Sequence, residues 1–388
     1  MEPASPIRCK KSSMSSMSSR TAVVVGAMAG LLLVAGCGGA IEAGDSDDVP
    51  VSIEAGTWRT LPVAPISFRA HTVSGWSGSE ALFWAGSNLE RGFAHTDGAA
   101  YDPATDTWRK LRVPGWGHPG LAGAVFDDRL FVAAKGGLLL IDPADGSDDG
   151  LPPAPGFVPG TVVATDTAVW SLGPTDFDGS GRVGIARYDM VTGGWVAGSI
   201  FEGTPEMQGL LDFGLFVEES VVWTGSEIVV WSGTGRGLAY DPSASTWRVL
   251  PQLAPAEGTL NAAEAAATNS GLAVLTTTDI GGRASVGVAV LDGESWSWHD
   301  TDLEGIDFET VTIAAAGDWL LVFGPDHPPY SVHVTTGESV GHDDGPLAGI
   351  EAPNTVWTGD ELVIWGGVPT QYEDEPIVGG AVWTPPSG

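Results

Sequence analysis

The side chains of this 388-residue chain that could do chemistry are scattered rather than grouped. Asp176-Phe177-Asp178-Gly179-Ser180-Gly181 carries oxygen-bearing side chains at its first, third and fifth positions and glycine at its sixth. That spacing is the opening half of a calcium loop, so Asp176, Asp178 and Ser180 are candidate metal ligands and calcium is the one cofactor the sequence suggests. The twelfth position, where a bidentate glutamate would complete the shell, is Arg187, and the same residues also make a plain Asp/Gly hairpin turn. The glycine- and proline-rich stretch PGWGHPG sets Trp116 near His118, an aromatic face close to a titratable ring. The seven histidines are not paired at metal-ligand spacing, and no nucleophile elbow, phosphate-gripping glycine loop, HExxH or CxxC occurs. Enzymatic activity is left open, with the balance against it.

Composition narrows the class. The chain has 43% hydrophobic and 17% charged residues, with 55 Gly, 27 Pro and 16 Trp, which suits a turn-rich globular fold. Seventeen basic residues stand against 49 acidic ones. Residues 1–36 hold four of the basic and one of the acidic residues, so their removal leaves 13 against 48, a formal charge of about −35. Such a surface repels phosphate backbones, and nucleic acid is excluded as a partner.

Residues 1–36 read as an export signal. Arg8, Lys10, Lys11 and Arg20 precede an apolar run from Thr21 to Gly36, too short for a comfortable membrane span. Its end, Leu33-Val34-Ala35-Gly36-Cys37, resembles the bacterial lipobox, which implies that Cys37 becomes a lipidated N-terminus. An ordinary signal peptide or an uncleaved anchor are the alternatives. The only other cysteine, Cys9, lies in the discarded segment, so the mature chain has no internal disulfide. Residues 37–51 are small and acidic and read as a flexible tether. The expected location is the extracytoplasmic face of the cell membrane, held there by lipid.

A repeat runs through residues 52–388. GWSGSEALFWAG (75–86), VWTGSEIVVWSG (222–233) and VWTGDELVIWGG (356–367) are copies of one phrase, and GAAYDPATDTWRKL and GLAYDPSASTWRVLP follow two of them. Fainter units occupy 126–143, 164–195, 267–298 and 316–324. From Glu80 to Glu361 seven units give a mean period of about 47 residues, the size of a propeller blade. Within each unit, short Val/Leu/Ile/Trp/Phe runs alternate with Gly, Asp, Pro and Ser turns, the pattern of four antiparallel strands. The last unit lacks a fourth strand, while GTWRTLP at 56–62 is a fourth strand with nothing before it. The fold class is therefore all-β, a seven-bladed β-propeller closed by an N-terminal strand that completes the last blade; six or eight blades are the neighbouring counts.

The repeat resembles the kelch proteins, including the propeller of galactose oxidase, in the glycine pairs Gly136-Gly137 and Gly366-Gly367 and in the late tryptophans. The resemblance implies that Trp58, Trp108, Trp195, Trp247 and Trp296 pack between neighbouring blades. Galactose oxidase chemistry is not implied, because it needs a cysteine cross-linked to tyrosine and the mature chain has none to spare.

In a propeller, the loops leading into the innermost strands surround one mouth of the channel, where ligands usually bind. They place Arg69, His71, Trp116, His118, Glu257, Asn261, Glu264, Asp307, Glu309, Glu351 and Asn354 at that rim. The first functional expectation is a lipid-anchored binding or scaffolding module with a glycan, envelope component or protein as partner. The second is an envelope carbohydrate enzyme, such as a sugar mutarotase or epimerase, using rim groups including Arg69, His71, Glu309 and Glu351. The third is a calcium-stabilised structural ring.

Overall fold

The computed structural model describes residues 55–88, 93–113, 122–134, 137–175, 182–203, 221–255, 257–279, 284–303, 306, 311–324, 327–342, 347, 350–369 and 379–386. The chain divides after Val51, and the expected export signal, Cys37 and the tether lie outside the described residues.

The unit from Ser52 onward holds seven four-stranded antiparallel sheets, six of them simple meanders and the seventh completed by the N-terminal strand. Blade 1 is Val73–Trp76, Ala81–Trp84, Gly98–Asp102 and Thr107–Lys110. Blade 2 is Ala122–Phe126, Arg129–Ala134, Gly137–Ile141 and Asp148–Gly150. Blade 3 is Thr161–Ala164, Val169–Pro174, Val183–Asp189 and Gly194–Phe201. Blades 4, 5 and 6 begin at Val221, Thr259 and Thr312, and their fourth strands are Thr246–Val249, Ser295–Asp300 and Ser339–Gly341. Blade 7 is Asn354–Trp357, Leu362–Trp365 and Gly380–Thr384, with Thr57–Thr60 as its fourth strand. The innermost strands of successive blades are neighbours around a full circle, the seventh returning to the first. This is the seven-bladed propeller expected from the repeat, including its closure by the N-terminal strand.

The strong phrases build the hairpins. In Ser77–Glu80, Thr224–Glu227 and Thr358–Glu361, the first N–H donates to the last carbonyl at 3.0 Å, and the Ser or Thr hydroxyl oxygen accepts from the Glu N–H at 3.1 Å. The second residue, as at Gly78 (φ 97°), needs the left-handed region that glycine enters freely. The glutamate of each turn then reaches across its blade to the arginine of the fourth strand. Arg109 pairs bidentately with Glu80, Arg248 with Glu227 at 2.6–2.7 Å, and Arg59 with Glu361 at 3.1 Å. TGSE and TWR are thus two halves of one clamp.

The core lies between blades. Val73, Leu82 and Trp84 of blade 1 pack on Val125, Leu130 and Val132 of blade 2. Val356, Val363 and Trp365 of blade 7 pack on Ala81, Phe83 and Tyr101 of blade 1. Trp84, Trp231 and Trp365 are fully buried. The late tryptophans add a directional bond to this packing: Trp108 donates its indole N–H to the Pro62 carbonyl at 2.9 Å, Trp195 to Pro152 at 2.7 Å and Trp296 to Pro251 at 2.9 Å. Each acceptor follows the fourth strand of the preceding blade. Trp58 makes the equivalent bond across the seam, to Nδ1 of His342 at 3.2 Å. Buried aromatic area and a satisfied N–H together make each tryptophan a rivet between blades.

Candidate functional site

A four-stranded meander sends its first-to-second and third-to-fourth turns to one end of the propeller. The second-to-third loops and the connections between blades go to the other, which is the channel mouth. Several rim candidates stand at that mouth, where blades 7 and 1 meet.

Arg69 is the most deeply placed of them: its side chain is 0% exposed, against 52% for its partner Asp97. Its guanidinium donates to Asp97 Oδ1 at 2.6 Å, the Ser67 carbonyl at 2.8 Å, Ser67 Oγ at 3.0 Å and the Ala85 carbonyl at 3.3 Å. The Arg69 carbonyl accepts from the Gly367 N–H at 2.8 Å and from Asn354 Nδ2 at 2.9 Å. Asn354 also donates to the Trp365 carbonyl at 2.9 Å and accepts from the Thr72 N–H at 2.8 Å. Arg69 and Asn354 are therefore brought together, and both are enclosed, locking the loop before blade 1 onto blade 7. A Cβ on Gly366 (φ 74°) would collide with the Arg69 carbonyl, so this approach requires glycine.

The side chains left facing solvent are different ones. His71 is exposed in a left-handed conformation (φ 54°), and Ala352, in the loop before blade 7, takes the same kind of turn (φ 43°). Glu351 is half-buried in a short ladder, Ile350–Glu351 on Val368–Pro369; a second ladder, Ser87–Asn88 on Phe93–Ala94, rises from blade 1 at the same end. These two ladders elaborate adjacent blades. Burial would raise the Asp97 carboxyl, but the hydrogen bond and charge of Arg69 hold it below the ordinary range. Burial, then the Arg69 charge, lowers His95, and its Nε2 is enclosed with no partner among the described residues. The corner thus combines the half-exposed Asp97 carboxylate with an exposed histidine, groups suited to holding polar groups of a ligand by hydrogen bonds.

Sequence reasoning named no residue from the second-to-third loops and so missed His95 and Asp97. The length of the segment between Trp84 and Gly98 was the available signal. Glu257 is exposed at the blade 4–5 junction, away from this corner. Asn261 and Glu264, expected in the loop before blade 5, belong instead to its innermost strand Thr259–Thr268, whose register shifts between Leu260 and Ala262. Trp116, His118, Asp307, Glu309, Asp176, Asp178 and Ser180 lie outside the described residues. Thr175 and Arg182, which flank the proposed calcium loop, are joined by a backbone bond of 3.1 Å between blade 3 strands, as a hairpin requires.

No protein-family model and no curated protein matches the sequence. Among solved structures, "YCF48 bound to D1 peptide" is similar with a TM-score of 0.53 and 12% identity, covering 87% of this chain and 97% of that one. At that identity the likeness is one of fold.

Proposed function

We propose that this protein is a lipid-anchored binding or scaffolding module on the extracytoplasmic face of the cell membrane, a propeller of kelch type that presents its channel mouth to a glycan, envelope component or protein. The observation that carries the reading is the pair of extra ladders on neighbouring blades 7 and 1, which frame exposed His71 and Asp97 and half-buried Glu351 on a rigid closed ring. Function concentrates on loops held by a stiff scaffold. A binding role is favoured over acid–base catalysis on a sugar because Arg69, the cation offered for that chemistry, is wholly enclosed and bonded within the fold. YCF48, similar only in fold, is bound to the D1 peptide in that structure, which makes an extended segment a reasonable form for a protein partner.

Two experiments test the two halves of the proposal. Cys37→Ser should move the protein from the membrane fraction to the soluble fraction; retention in the membrane would refute lipid anchoring through this residue. On an array of glycans, peptidoglycan fragments and envelope-protein peptides, a ligand retained by the wild type should be lost in His71→Ala/Glu351→Ala. A ligand indifferent to that pair would place binding elsewhere.

A further inference from the structure

At the opposite end of the propeller a cleft of about 690 Å³ opens between blades 3 and 4, within the usual range of small-molecule sites. We infer that it binds an acidic saccharide, its carboxylate held by Arg187 and its hydroxyls by Tyr240 and the serines of the blade 4 turns.

Two junctions of one repeat are built alike and filled differently. Tyr101 of blade 1 and Tyr240 of blade 4 occupy the same place in their strands, each opposite the following tryptophan, Trp108 and Trp247. At the blade 7–1 junction the Tyr101 hydroxyl accepts from the Arg59 guanidinium and donates to Asp106 at 2.7 Å; Arg59 also pairs with Asp106 at 2.8 Å. The junction is thereby filled. At the blade 3–4 junction the arginine following the fourth-strand tryptophan is replaced by Val196, and the aspartate of the left-handed turn (Asp106, φ 54°) by Ser245 (φ 55°). Both charged groups that close the first junction are missing from the second.

Three features give the vacated space a chemistry. Tyr240 is fully buried and lines the cleft, and its hydroxyl has no partner among the described residues; such a group is costly to leave unpaired and is expected to find a ligand or water. Arg187, on the third strand of blade 3 directly opposite Val196, is the one charged side chain lining the cleft among the described residues. It forms no ion pair or hydrogen bond with any of them, its charge acting only at a distance on Asp189. An unspent guanidinium selects for an anion locally, against the repulsion of a chain of net charge −32, and its fork matches a carboxylate. Finally, Trp223 and the hydroxyls of Ser226, Ser243 and Ser245 line the walls, a flat apolar face beside donors and acceptors, as a sugar ring with its hydroxyls requires.

The test is titration of the purified protein with digalacturonate, galactose and acetate, followed by tryptophan fluorescence and calorimetry. Digalacturonate should bind saturably and at least tenfold more tightly than galactose or acetate. Arg187→Gln should weaken it at least tenfold. Val196→Arg/Ser245→Asp, which rebuilds the blade 7–1 arrangement on an exposed position, should abolish binding without lowering the melting temperature. Absence of saturable binding, equal affinity for galactose or acetate, or full binding by the rebuilt variant would each overturn the proposal. Because His71 and Glu351 lie at the other mouth, His71→Ala/Glu351→Ala should leave this titration unchanged.

Discussion

Thr57 and Thr384 face each other in antiparallel register across the seam of the ring, one from the first described strand and the other from the last. Trp58 opposite Trp383, Arg59 opposite Val382 and Thr60 opposite Ala381 complete the pairing. Residues 52–388 contain no cysteine, so these four pairs and the bonds of Trp58 and Arg59 carry the closure without a disulfide. A propeller open at this seam would expose two sheet edges.

Closure can be locked. Thr57→Cys/Thr384→Cys should form an intramolecular disulfide on oxidation, spanning 327 positions. The loop-entropy relation gives roughly 6 kcal/mol of stabilisation for so long a loop, with native strain subtracting from it. Denaturant unfolding of oxidised and reduced forms checks this; failure to cross-link within one chain would mean that the strands are not paired.

The late tryptophans differ in a measurable way. Trp108→Phe removes a ring and a bond to Pro62, whereas Trp247→Phe removes a similar ring whose indole N–H is buried without a partner among the described residues. Trp108→Phe should therefore cost about 1 kcal/mol more than Trp247→Phe, the net worth of one hydrogen bond. Equal costs would indicate that packing alone accounts for both.

Asp97→Ala should leave the enclosed Arg69 guanidinium without its carboxylate. The expected cost is about 2–3 kcal/mol, below that of a fully buried pair because Asp97 is half exposed. Asp97→Asn, which keeps a hydrogen-bond acceptor, should cost less. Because the folded-state pKa is depressed, this stabilisation is present above the ordinary carboxylate pKa and is lost as pH falls through the folded value. The acid limb of the stability curve should be shallower in Asp97→Asn.

Tyr101 works in the opposite direction. Burial first, and the bond to Asp106 next, push its phenol up to about 12 against the pull of Arg59. A folded pKa above the unfolded one gives stability that is intact below about pH 10 and lost as pH rises toward 12, with a slope of at most about 1.4 kcal/mol per pH unit. Tyr101→Phe should flatten this alkaline decline; tyrosinate absorbance and denaturant titrations at pH 9–11 would detect it.

The blade architecture was legible because its determinants are local. Ser-Gly-Ser-Glu and Thr-Gly-Asp-Glu fix a turn, Tyr-Asp-Pro ends a strand and the Thr-Trp-Arg phrase starts the next. The half-units left over at the two ends revealed the closure. What remained hidden depends on residues distant in sequence. Arg69 occupies an inter-blade loop, and only Asp97 folding over it, with Asn354 gripping its carbonyl from 285 positions away, turns it from a rim group into a lock. The cleft between blades 3 and 4 was equally invisible from single motifs, because it consists of two substitutions in the repeat, Val196 for Arg59 and Ser245 for Asp106, that meet only across a blade junction.

The proposed binding of an envelope ligand at the blade 7–1 corner of the channel mouth has a thermodynamic signature. Its most direct measurement is the melting temperature of the purified protein against peptidoglycan fragments, envelope glycans and envelope-protein peptides, since a ligand selective for the folded state raises it by mass action. A concentration-dependent rise is expected with at least one of these in the wild type and none in His71→Ala/Glu351→Ala. A panel that shifts neither protein, or shifts both equally, would contradict it.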